Sequence, residues 1–196
     1  HRDHSNNYIT IMNYLVTGLI CSGKTTFLKI AEEHNFHAIR SDDIVSELYN
    51  DSSIIKQIKK HLDVKLFDGK PKDTIKEFFF KSKKNREIIE AIFLPTVHKM
   101  IIQKLSSNQN IMVELPPIIN NYELFKSYDS IYIDAKENIR TERCDTRELD
   151  RNYFNEMNKI QDDYQLIKDV CDIVIDNNYD NIESLSQYFE RGVIKT

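Results

Sequence analysis

Gly18-Leu19-Ile20-Cys21-Ser22-Gly23-Lys24-Thr25 is the stretch on which the fold turns. It fits G-x-x-x-x-G-K-[ST] at every fixed position. Ahead of it, Tyr14-Leu15-Val16-Thr17 reads as a short buried strand, and Thr25 to His34 places Phe27, Leu28, Ile30 and Ala31 at helical spacing. A loop between a strand and a helix can turn its backbone N–H groups inward around a phosphate, and the helix N-terminus adds partial positive charge. Glycine lets the backbone approach the ligand closely. The expected cradle is therefore Gly18, Leu19, Ile20, Cys21, Ser22, Gly23, Lys24, Thr25 and Thr26. Lys24 is expected to reach the β- and γ-phosphates of ATP, and the Thr25 hydroxyl to ligate Mg²⁺.

Working outward, Phe36–Ile39 reads as a second strand and Ser41 as the N-cap of a helix presenting Ile44, Val45 and Leu48. Asp63 to Asp73, with Gly69 and Pro71, reads as a loop, and Thr74 to Leu105 as helix interrupted at Pro95. Further strands are expected at Ile111–Val113, ending at Glu114, at Ile131–Ile133 and at Ile173–Ile175. Arg140 to Val170 is a charged helical stretch, and Ile182 to Phe189 a closing helix. Strands alternating with helices predict a parallel sheet covered on both faces. The expected class is α/β: a P-loop NTPase three-layer sandwich, one domain over 12–196, with a helical substrate lobe near 42–105 and a lid near 140–170. The polar stretch His1–Ile11 precedes Met12, which reads as the native start, so 1–11 is read as an added remnant.

The 196 residues are 40% hydrophobic and 30% charged, which allows one sizeable core. A net charge of -4 argues against nucleic acid as the main partner. Three widely separated cysteines, Cys21, Cys144 and Cys171, give neither a disulfide framework nor a zinc pattern and fit a reducing compartment. For Cys21 itself, a small side chain that fits the loop is favoured over a redox role. No apolar run approaches the ~18 residues a bilayer span needs. The expectation is a cytoplasmic protein without membrane partners, monomeric or a small homo-oligomer, acting on a small molecule.

Phosphoryl transfer also needs a group to take the acceptor's proton, metal ligands and positive charge over the moving oxygens. Asp42 and Asp43 follow the second strand, at the carboxyl edge where parallel sheets build their sites. Asp42 is the stronger candidate for base or metal contact, a helix turning Asp43 elsewhere; helix capping is the bland alternative. Glu114, at the third strand's end, stands where a metal-contacting carboxylate belongs. Arg140, Arg143, Arg147 and Arg151 recur every three or four residues and form one cationic helix face, able to close over phosphates or simply to pair with Glu142, Glu148 and Asp150. Asn158-Lys159 begins a guanine-reading N-K-x-D pattern, but Gln161 breaks it. His98 is read as structural rather than as a phosphate contact, and the lysines at 56, 59, 60, 81, 83 and 84 as a solvated face.

With these positions placed, the chain resembles the dephospho-coenzyme A kinase family along nearly its whole length from Met12. Ser41-Asp42-Asp43-Ile44-Val45 is similar to the D-x-D-x-[IV] region, with Asp42 on the second aspartate, the family's expected base. Lys72 to Pro95 aligns with the substrate lobe, Val113-Glu114-Leu115-Pro116 with D-I-P-L, and Glu142-Arg143 through Arg147 with E-R-x-x-x-R, the lid entry from which Arg143 and Arg147 are expected to close over the phosphates in catalysis. Cys171 to Asn177 aligns with A-D-x-V-I-D-N, which puts Asn177 near the adenine. Arg40 replaces the first aspartate of D-x-D, and Leu94-Pro95-Thr96-Val97-His98 stands where the family has H-P-x-x-R. Pro117 to Asn120 replaces L-L-F-E, and Tyr164 falls on a lid arginine. The resemblance implies ATP-dependent phosphorylation of the ribose 3′-hydroxyl of dephospho-coenzyme A. Because the departures fall on the acceptor side, a deoxynucleoside monophosphate kinase and a non-catalytic nucleotide-binding module remain alternatives.

Overall fold

A computed structural model describes residues 11–61, 71–179 and 182–194. Five strands, β1 (Asn13–Thr17), β2 (His37–Arg40), β3 (Ile111–Glu114), β4 (Ser130–Asp134) and β5 (Ile173–Asp176), form one sheet in the order β2-β3-β1-β4-β5. Every pairing is parallel. The central strands read as unbroken apolar runs because both their faces are covered. Leu15 and Val113 face a core shared with Ile101, Leu105, Phe125 and Ile167, while Val16 and Met112 face Phe27, Leu28, Ile131 and Phe189.

Helix α1 (Lys24–Glu33) follows the phosphate-loop motif and buries Phe27, Leu28, Ile30 and Ala31. Between β2 and β3 come α2 (Ser41–Leu48), α3 (Ser52–His61), α4 (Pro71–Lys81) and α5 (Lys83–Leu105). Ile54, Ile58, Ile75 and Ile89 from these helices join the same apolar cluster as Leu15 and Val113, so the helical lobe is continuous with the sheet's core. After β3, α6 (Tyr122–Ser127) leads to β4. Then come α7 (Glu137–Thr146), α8 (Arg151–Ile160) and α9 (Tyr164–Val170), and α10 (Ile182–Phe189) follows β5.

Several boundaries differ from the sequence expectation. Ser41 is the first helical residue and is buried; extended Arg40 occupies the cap. Most of the loop expected at 63–73 lies outside the described residues, but Pro71 to Asp73 open α4, because proline's missing N–H costs nothing in a first helical turn. The break in the long helical stretch falls at Ser82, whose Oγ accepts from Asn85 N at 3.1 Å, and not at Pro95, which lies inside α5. Packing of Ile92, Phe93, Val97 and Ile101 on either side holds α5 together across the lost backbone bond.

Among the described residues no helix is long and apolar enough to cross a membrane. Cys21 and Cys144 are joined by a disulfide, 123 residues apart in sequence, and Cys171 is free. The expectation of no disulfide is therefore corrected, and with it the cysteine argument for a reducing compartment and the reading of Cys21 as only a small side chain that fits the loop. Sequence spacing carries no information about a pairing made by the fold, which lays α7 against the phosphate loop and surrounds the bond with Ile20, Leu149 and Phe154.

Candidate active site

The loop between β1 and α1 crosses the carboxyl edge of the sheet beside the ends of β3 and β4. Two glycines are needed for that path. Gly18 has φ +145°, and a Cβ there would lie 2.3 Å from the Ile133 carbonyl oxygen; Gly23 has φ +109°, and its Cβ would lie 2.2 Å from Asn177 Nδ2. No other residue fits either place. Cys21 also takes a left-handed conformation, φ 61°.

Lys24, in the first turn of α1, folds its ammonium back over the loop, donating to the carbonyls of Gly18 at 2.8 Å and Leu19 at 3.0 Å. Glu114 Oε1 stands 3.9 Å from its Nζ. Burial holds the Lys24 ammonium below its ordinary range, although Glu114 and Asp42 pull it upward. Burial likewise pushes the Glu114 carboxyl above the usual range, against the attraction of Lys24 and with Asp42 adding to the rise. Lys24, Glu114 and Asp42 thus form one electrostatic group at the carboxyl edge of the sheet, from the start of α1, the end of β3 and the first turn of α2. Thr25 is exposed one residue beyond Lys24. Arg40, opposite Glu114 across the β2–β3 register, turns toward Glu32 on α1 at 3.9 Å.

Beside this group opens a cavity of about 470 Å³, walled by the helical lobe on one side and α8 on the other. Asp42 lies on its wall, and so does Asp43, which corrects the expectation that the helix turns Asp43 elsewhere. Apolar side chains dominate: Tyr49, Phe79, Phe80, Phe93, Leu94 and Val97. Tyr49 and Tyr153 both have phenols held above their usual range, by burial first and by the charge of Asp42 second. Phe80 of α4 meets Tyr153 of α8 edge-on, ring centres 6.0 Å apart, so α4 and α8 touch over the cavity. His98 has the structural role expected of it. Its Nε2 lies 2.8 Å from Asn121 Oδ1, and Asn121, fully buried, donates to the Pro116 carbonyl.

The arginine face divides its work. Arg140 is buried, donating to Ala135 O, Ile20 O and Asn158 Oδ1, a structural clamp. Arg143 donates to the carbonyls of Ser22, Asn177 and Tyr179, fastening the phosphate loop to the segment after β5. Arg151 pairs with Asp145. The Arg147 side chain is exposed, makes no hydrogen bond or ion pair among the described residues, and lies close enough to depress Lys24. A second recess, of about 220 Å³, is bordered by Gly23, Thr26, Arg143, Arg147, Asn177 and Tyr179. Asn177 Nδ2 donates to Ser22 O at 2.7 Å, so it lies against the phosphate loop and borders this recess.

Sequence reasoning missed three features. Cys144 reaches the loop, Tyr49 and Tyr153 flank Asp42, and Gln161 Oε1 accepts from Ile20 N at 2.9 Å. Gln161 appears in the sequence only as the residue that spoils N-K-x-D, and its burial was the missing signal.

A parallel five-stranded sheet, a glycine-bounded phosphate loop with a buried lysine, and an adjoining acceptor-sized cavity define a P-loop phosphotransferase. The family model described as dephospho-CoA kinase matches residues 14–183, and the chain belongs to that family. A dephospho-CoA kinase of Rickettsia typhi is 27% identical over 151 residues, covering 74% of this chain and 78% of the relative. Among solved structures, the dephospho-CoA kinase of Campylobacter jejuni superposes with a TM-score of 0.63 at 21% identity, covering 92% of this chain and 98% of the other. A shikimate kinase of Acinetobacter baumannii, TM-score 0.56 at 17% identity over 95% and 94% of the two chains, shares the fold. The protein is an ATP-dependent kinase, and its family supports dephospho-CoA as acceptor over the two alternatives.

Proposed function

We propose that the protein phosphorylates the ribose 3′-hydroxyl of dephospho-CoA with Asp42 as the proton acceptor. The observation that carries this reading is the position of Asp42. It lies on the wall of the acceptor cavity and within electrostatic reach of both Lys24 and Glu114 at the phosphate loop. A hydroxyl held there faces a carboxylate on one side and the donor's terminal phosphate on the other. Asp42 takes the proton as the oxygen attacks, and the leaving oxygen departs with ADP.

The loop amides and Lys24 bind the polyphosphate, with Lys24 exchanging its carbonyl partners, Gly18 and Leu19, for phosphate oxygens. Arg147, exposed and without a side-chain partner among the described residues, adds charge over the transferred group. Arg143 acts by holding Ser22 and Asn177 together beneath the nucleotide. Among the described residues no three His, Cys, Asp or Glu side chains converge on one point. That suits Mg²⁺, which takes few protein ligands and completes its shell with phosphates and water. Thr25, Glu114 and Asp42 supply hard oxygen donors for it, and the bound ion would neutralise charge on the phosphates. The same reading places the enzyme in the cytoplasm with its ATP, as a monomer or small homo-oligomer.

The test is an ADP-release assay run with dephospho-CoA and, separately, with deoxynucleoside monophosphates. The product of the first is analysed for a 3′-phosphate. Turnover confined to the monophosphates would overturn the acceptor assignment.

A further inference from the structure

We infer that Gln161 is a positioning residue that couples occupancy of the acceptor cavity to the phosphate loop, an inference that rests on the acceptor reading above. Gln161 follows the last turn of α8 and is only 4% exposed. Helix α8 presents Tyr153, Met157 and Ile160 to the cavity, spaced by four and three residues, and Gln161 completes that face. Its Oε1 accepts from the Ile20 backbone N–H at 2.9 Å, inside the phosphate loop. Among the described residues it is the one cavity-lining side chain that bonds a backbone group of that loop.

The Ile20 peptide is held from both sides by the lid. Arg140 Nη1 donates to its carbonyl at 3.2 Å, and Gln161 accepts from its amide. Arg140 does not line the acceptor cavity and reaches α8 only through Asn158, on the side away from the cavity-lining residues. Gln161 lines the cavity and bonds the loop directly. An acceptor packed against Tyr153, Met157 and Ile160 restrains α8, and the restraint passes to Ile20 most directly through the Gln161 hydrogen bond. The Gln161 amide nitrogen makes no hydrogen bond among the described residues, which leaves it as a donor for the acceptor itself. A bond whose geometry depends on both ligands makes each tighten the other by the same factor.

The experiment measures the affinity of a non-hydrolysable ATP analogue with and without saturating dephospho-CoA, in the wild type, Gln161→Leu and Gln161→Glu. The wild type is expected to bind the analogue about 10-fold more tightly with acceptor present. Gln161→Leu should reduce that factor to below about 2. Gln161→Glu retains an oxygen for the Ile20 N–H and should keep a factor above about 5, which also controls for a misfolded Leu variant. A merely structural glutamine would shift all affinities together and leave the ratio intact. An unchanged ratio in Gln161→Leu, or no ratio above 2 in the wild type, overturns the coupling. If dephospho-CoA supports no ADP release at all, the acceptor assignment fails separately. The latch is then judged on the analogue alone. Gln161→Leu should bind it about 5-fold more weakly than the wild type; equal binding by the two overturns it.

Discussion

Reducing the Cys21–Cys144 disulfide should destabilise the protein by several kcal/mol. The bond closes a loop of 123 residues, most of the distance from the phosphate loop to the lid. Chain-entropy arithmetic for a loop of that size gives about 16 cal/mol/K, or about 5 kcal/mol at 25 °C. Loss of native packing should add little, because both thiols stay in the apolar pocket of Ile20, Leu149 and Phe154, where a reduced cysteine packs as a small hydrophobe. With a urea m-value of about 2 kcal/mol/M, the unfolding midpoint should fall by about 2 M on reduction. The assay is urea unfolding with and without dithiothreitol, paired with a thiol count on the unfolded, unreduced chain. The count must be made unfolded, since burial pushes the Cys171 thiol up to about 11 and the native protein would react slowly even at its free cysteine. One reactive thiol is expected before reduction and three after. Three thiols before reduction, or a midpoint shift below about 0.5 M with the bond demonstrably formed, would refute the reasoning.

Asp42→Ala should lower kcat by about 10²- to 10⁴-fold, with a much smaller effect on the affinity for a Mg²⁺-bound ATP analogue, since Asp42 lies on the cavity wall and is only one of three oxygen donors offered to the ion. Gly23→Ala should abolish nucleotide binding, measured by calorimetry, because its Cβ would fall 2.2 Å from Asn177 Nδ2 at a φ of +109°. The acid limb of kcat/KM should lie above the ordinary glutamate range. Burial favours the protonated form of Glu114, and metal contact needs the ionised one, so activity is lost as pH falls through the raised value. Glu114→Gln should remove that limb along with most of the activity; a limb unchanged in the variant would show that Glu114 is not its source.

The donor half of the molecule was legible because its chemistry is local. A phosphate loop needs its glycines, lysine and threonine within eight consecutive residues, and the flanking signals, the unbroken apolar run of β1 and the 3.6 periodicity of α1, are short-range. The strands at Ile111–Glu114 and Ile173–Asp176 were legible for the same reason: runs of β-branched and apolar residues ending in a carboxylate. The helical lobe was legible in extent but not in detail. Pro95 looked like a break because proline removes a backbone donor, yet packing on both sides carried α5 through it, while Ser82 after α4 begins α5 with an N-cap that a single serine does not advertise.

What the sequence withheld lies where partners are remote. Arg140, Arg143, Arg147 and Arg151 are alike in a periodic pattern, since helical spacing fixes the face and not its neighbours. The fold sorts them: Arg140 against Ile20 O and Asn158, Arg143 against the carbonyls of Ser22, Asn177 and Tyr179, Arg151 against Asp145. Among the described residues Arg147 is the one of the four whose side chain makes no hydrogen bond or ion pair, so of Arg143 and Arg147 it is the one we expect to act on phosphate directly. The distinction can be measured. Arg147→Ala should reduce kcat with little effect on the unfolding midpoint. Arg143→Ala should lower that midpoint, because three backbone carbonyls lose a charge-assisted donor, each such bond contributing about 1.5–3 kcal/mol. Equal loss of stability in the two variants, or loss of activity in Arg143→Ala alone, would show that the sorting of the arginine face by partner does not track its division of labour.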